Sequence, residues 1–111
     1  MRLTELEPQF VRHAPCQMLH GATLADAQGL WMLCPTCFAK NSGPVGTHGL
    51  IVTFRDRGVP DALGSHGKNG KPSRWTVTGT GYGDLTLSPS IDISKDGDGE
   101  WHGYIINGEI R

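Results

Sequence analysis

Glycine sets the first limit on what this chain can become. Sixteen of its 111 residues are glycine, and fourteen of those lie after residue 40. An interior glycine costs a helix about 1 kcal/mol relative to alanine, so a helical bundle over that stretch is excluded. The glycines follow no G-X-Y period, which excludes collagen, and the interspersed Val, Ile, Leu and Trp exclude a disordered linker. Short strands joined by tight turns remain. At 111 residues and 12.0 kDa there is room for a single domain, 1–111, whose modest core calls for a staple.

Hydrophobic patterning locates the strands. An extended stretch is expected at 9–12 inside an otherwise irregular first 21 residues, and a short helix over 24–28, with Thr23 as its cap and Gly29 as its stop. Leu30 to Leu33 reads as a buried strand that runs into Cys34-Pro35-Thr36-Cys37. Leu50, Val52 and Phe54 alternate, as do Leu85, Leu87, Ile91 and Ile93 over 84–94, with Pro89 marking an edge or bulge in that second strand. Further strands are expected at 75–78 and 101–106, the latter turning back at Asn107-Gly108, a two-residue hairpin signal. Residues 55–73 have no period and read as a mobile loop. The expected fold is mainly β: a small twisted antiparallel sheet or partly open barrel with one short helix.

Three cysteines make an odd count, which argues against a disulfide framework and for a reducing compartment. The opening residues MRLTELEPQF are acidic where a signal peptide would be apolar, so a cytoplasmic location is expected. No apolar run is long enough to span a bilayer, and a net charge of -1 draws the chain to neither nucleic acid nor anionic lipid. Zinc takes four N or S donors in a tetrahedron, and a C-x-x-C turn at a strand end supplies two of them. His48 and His102 each open a strand, where such a knuckle would meet them. Cys34, Cys37, His48 and His102 are therefore the expected ligands of a structural zinc that ties the first strand to the last. His20 is the reserve ligand, and Trp101 shields the metal from water.

The order of motifs adds a resemblance. Leu-Trp-Met-Leu-Cys-Pro-Thr-Cys-Phe (30–38), Gly-Thr-His (46–48), Arg-Trp-Thr-Val-Thr-Gly (74–79), Leu-Thr-Leu-Ser-Pro-Ser-Ile (85–91) and Trp-His-Gly-Tyr-Ile-Ile-Asn-Gly-Glu (101–109) occur in sequence. Together they resemble a phage and prophage family of small zinc-binding domains of unknown function. Its members often carry an "ammonia monooxygenase" label, and relatives sit in bacterial operons for ubiquitin-like conjugation. The resemblance implies metal ligands at Cys34, Cys37, His48 and His102. Many relatives have a cysteine just before the last histidine, where this chain reads Gly99-Glu100-Trp101. Soft ligands suit zinc rather than an open iron or copper centre, so the oxygenase label finds no support.

The leading expectation is a non-enzymatic, phage-type accessory module that binds a host or phage macromolecule, with a protein partner favoured over nucleic acid. The alternatives are a zinc-dependent hydrolase with an open metal position, with Asp84 or Glu100 as its acid or base, and a C-x-x-C thiol redox protein. The redox reading needs a helix behind Cys34, and Gly43-Pro44 stops any helix there within two turns. Lys68, Lys71 and Arg74 form a candidate partner loop that misses the phosphate-loop pattern. Asp96 to Glu100 reads as an acidic turn too short for calcium. Ser88 and Ser90 have no base partner visible in sequence, so a serine hydrolase is not indicated.

Overall fold

A computed structural model describes residues 1–14, 17–64, 70–92 and 101–111. A 3₁₀ turn at Leu3–Leu6 comes first, then β1 (Gln9–Ala14), β2 (Gln17–His20), β3 (Gly29–Leu33), α1 (Pro35–Asn41) and β4 (Gly49–Thr53). The second half holds β5 (Thr76–Thr78), β6 (Thr86–Asp92), β7 (His102–Ile106) and β8 (Glu109–Ile110). The strands form two antiparallel sheets, ordered β2-β1-β3-β4 and β5-β6-β7-β8. The mainly-β class with open sheets and one α-helix is thus as expected.

Alternation explains the core. Leu30 and Met32 of β3, Leu50 and Val52 of β4, Leu87 and Ile91 of β6, and Ile105 of β7 are all buried, and they form one cluster with Leu3, Leu6 and Leu85. Each such side chain contributes roughly 1.5–3 kcal/mol by leaving water. The two sheets are joined at Phe54 and Trp75, where the Trp75 amide donates to Thr53 C=O (3.0 Å) and the Arg55 amide to Trp75 C=O (2.7 Å). At the opposite end the Leu3 amide donates to Gly108 C=O, at the tip of the β7–β8 hairpin. Asn107 and Gly108 both have positive φ, 50° and 75°, as a type I′ turn requires, so the hairpin forms where the Asn-Gly pair indicated.

The expected helix over 24–28 does not form; those residues make a turn inside the link from β2 to β3. Its amides bond three residues back, Asp26 to Thr23 and Ala27 to Leu24. The Gln28 amide is drawn into the sheet by Val11 C=O, and the Arg57 guanidinium takes the carbonyls of Leu24 and Ala27. A segment this short cannot repay helix nucleation once its carbonyls have another donor. The helix lies instead over Pro35–Asn41, with proline in its first turn. Ser42 ends it in the left-handed region, with Ser42 N–H bonded to Ala39 C=O and Gly43 N–H to Phe38 C=O. Nor are the first 21 residues irregular: they hold the 3₁₀ turn and the β1–β2 hairpin.

Candidate active site and metal-binding cluster

The antiparallel pairing of β3 with β4 assembles a cluster of side chains that could hold a metal ion. Leu33 faces Gly49 in the ladder, and the Cys34 amide extends it by donating to His48 C=O at 2.9 Å. Cys34 is buried at the N-cap of α1, Cys37 lies one turn into the helix, and His48 directly precedes β4. Cys37 Sγ and His48 Nδ1 are 3.2 Å apart, and one donor atom from each of Cys34, Cys37 and His48 lies within 4.8 Å of the others. The Trp31 indole lies over Gly49, where any Cβ would strike the ring, so glycine is required next to His48. Two thiol sulfurs and one imidazole nitrogen, partly sheltered from water, fit a soft or borderline metal ion.

Three of the four expected ligands therefore come together. They link adjacent strands of one sheet, and His102 belongs to the other sheet, outside that group. The side chain of the reserve ligand His20 lies outside the described residues, as do Cys16, His66, Lys68, Asp96 and Glu100. Cys34 stands at a helix N-terminus, as a reactive dithiol would need. It is fully buried, however, and α1 ends after seven residues.

The remaining predicted residues have structural partners. Arg74 donates to the carbonyls of Pro60, Leu63 and Ser73 and to the Thr53 hydroxyl, so its guanidinium braces the loop it was expected to present to a partner. Lys71 is exposed and has a contact of its own. Trp101 is buried, its ring against Gly103. Asp84 accepts from the Thr80 amide, the Thr80 hydroxyl and the Gly81 amide, each at 2.9 Å. Those donors hold its carboxyl below the usual carboxylate range, which suits a loop brace better than a proton shuttle.

The second sheet carries a pair that sequence reasoning set aside. In the β6–β7 ladder Leu87 faces Ile105 and Ile91 faces Gly103, so β6 spends two more residues than β7 over the same span. Ser88, Pro89 and Ser90 arch out there, and bulges of this kind re-aim side chains. The Trp75 indole donates to Ser90 C=O at 3.1 Å and pins the arch to the core. On the outer face His102 Nε2 stands 3.4 Å from Ser90 Oγ, and Asp92 is directly opposite His102 in the ladder. Facing residues of an antiparallel pair have Cβ atoms about 4.5–5.5 Å apart, so Asp92 and His102 spring from adjacent positions on one face. A serine hydroxyl is a weak nucleophile until a base takes its proton, and here a base adjoins it.

One signal for this pair was present in the sequence. Ser88, Ser90 and Asp92 fall on the opposite phase to Leu87 and Ile91, which puts them on the solvent face. His102 shares that face only through the strand register, which sequence alone does not disclose. Among the described residues no helix is long and apolar enough to cross a membrane.

Comparison with curated proteins and with solved structures found no match. A family model matches nearly the whole chain, and it bears out the part of the resemblance that concerned ubiquitin-like operons. Over residues 9–111 the chain matches the family described as the bacterial ubiquitination-like system serine protease (BubE), and it belongs to that family.

Proposed function

We propose that this protein is a serine hydrolase of a bacterial ubiquitination-like system, cleaving an acyl bond that joins a ubiquitin-like protein to its target. The observation that carries the reading is the approach of His102 Nε2 to Ser90 Oγ, at 3.4 Å. This is slightly longer than the ~2.6–3.2 Å of an engaged pair, as in many ligand-free sites that tighten on substrate binding. The family description supports the same chemistry.

In the first step Ser90 Oγ bonds to the substrate carbonyl carbon as its proton passes to His102 Nε2. The bond to the leaving amine or alcohol then breaks, and that group takes the proton from His102. Water attacks the resulting acyl-serine, giving its proton to His102, and the free acid leaves as Ser90 regains its hydrogen. Nε2 can accept only when the ring proton is on Nδ1. Asp92, opposite the ring, is the group to hold that tautomer and to stabilise the imidazolium.

In this reading the cluster of Cys34, Cys37 and His48 holds a structural zinc that braces the first sheet, separate from the chemistry. A second reading, a zinc-dependent hydrolase with an open metal position, is favoured by the count of three clustered ligands. It and the non-enzymatic module make Ser90 dispensable.

The test is labelling of the full chain with a fluorophosphonate, the modified residue being mapped by mass spectrometry. Labelling at Ser90, its loss in Ser90→Ala and a fall of about a thousandfold in rate for His102→Ala are expected. Cleavage of a ubiquitin-like conjugate by Ser90→Ala at the wild-type rate would refute the reading.

A further inference from the structure

Tyr104 occupies a singular place on the second sheet. Its neighbours Gly103 and Ile105 face Ile91 and Leu87, so Tyr104 is the single β7 residue set against the arch of Ser88, Pro89 and Ser90. It turns its own amide and carbonyl away from the arch, to Arg111 C=O and Arg111 N–H. The side chain lies two residues from His102, on the same outer face, and is 49% exposed. Among the described residues that face also carries Thr76, Thr78, Ser88 and Asp92 near Ser90, and Ile106 beyond Tyr104. A half-exposed aromatic ring there is within reach of anything that approaches Ser90 from solvent.

On the inner face of β7, opposite Tyr104, a Cβ on Gly103 would meet the Trp101 ring and the Arg111 carbonyl, so the strand is packed closely against the core there. Among the described residues a cavity of about 310 Å³ is lined by Phe54, Asp56, Val59 and Pro72, in the loop after β4, and not by Ser90 or His102. The family description as a serine protease makes a polypeptide the substrate to be placed here.

We propose that Tyr104 is the substrate-positioning residue of this site, its ring the ledge on which an extended polypeptide segment lies while its carbonyl meets Ser90. The inference rests on the serine hydrolase reading and adds to it the residue that positions the polypeptide substrate. Aromatic rings hold peptide chains well because they offer a large, stiff apolar face at low entropic cost.

Two probes separate the ledge from the chemistry: a methyl fluorophosphonate, too small to reach the ring, and a blocked tri-alanine p-nitrophenyl ester, which spans it. Tyr104→Thr should lose about tenfold in kcat/KM on the tripeptide ester, mostly through KM, and less than about threefold in phosphonate labelling. Tyr104→Phe should recover most of the loss, and Tyr104→Val serves as a second truncation with strand propensity. Equal losses on both probes, a loss confined to kcat, or a Tyr104→Phe variant as impaired as Tyr104→Thr would each overturn the ledge while leaving Ser90 in its role. Failure of the wild-type protein to label at Ser90 would instead overturn the hydrolase reading, and the ledge with it.

Discussion

Trp75→Phe tests whether the core positions the nucleophile. The Trp75 side chain is buried, and its indole N–H donates to the carbonyl of Ser90 at 3.1 Å. Phenylalanine keeps most of the apolar body and removes the donor. The hydrogen bond is worth about 1 kcal/mol net. The smaller ring withdraws roughly 40 Å² of apolar contact, about 1 kcal/mol more. The sum, about 2 kcal/mol, corresponds to a fall in Tm of about 8 °C for a domain of this size. A generic core lesion would stop there. The indole also holds the residue whose hydroxyl must meet His102, so fluorophosphonate labelling of Ser90, measured well below the new Tm, should slow by about tenfold. Circular dichroism melts give the first quantity and intact-mass kinetics the second. A Trp75→Phe protein that loses the expected stability yet labels Ser90 at the wild-type rate would show that the indole bond does not position the arch.

Two further outcomes follow from the cluster and from the β5–β6 connection. Plasma mass spectrometry should find about one zinc per chain in the wild type and none in Cys34→Ser, with a Tm lower by more than about 10 °C; a metal-free Cys34→Ser protein with unchanged Tm would remove the structural role. Asp84 should give a pH signature: its folded carboxyl lies below the ordinary value of 3.8, so the stability it contributes is present above that value and is lost as pH falls through the lower folded one. Urea midpoints from about pH 6 to pH 2 should therefore fall less steeply for Asp84→Asn than for wild type, and parallel curves would contradict the brace.

Period-two alternation, a local property, identified β4 and β6, because burial of one face selects for it whatever the partner strand, and a continuous apolar run marked β3. The Asn107-Gly108 turn was legible for a similar reason, since few residue pairs accept two positive φ angles. Cys34 and Cys37 announced themselves by spacing, and His48 by its place before a strand. The helix over 24–28 was misread because Arg57, some thirty residues away, competes for the carbonyls that would have closed it.

The sequence by itself determined a strand-rich chain with a thiol pair at a strand end, since turn glycines, alternation and C-x-x-C spacing act over a few residues. Only the tertiary structure decided which neighbours each histidine meets. His48 and His102 look alike in sequence, each at the mouth of a strand. The β3–β4 register carries His48 to the cysteines, and the β6–β7 register, with its two-residue arch, carries His102 to Ser90. Register is a relation between distant segments, set by which apolar faces must be buried together, and no local pattern contains it.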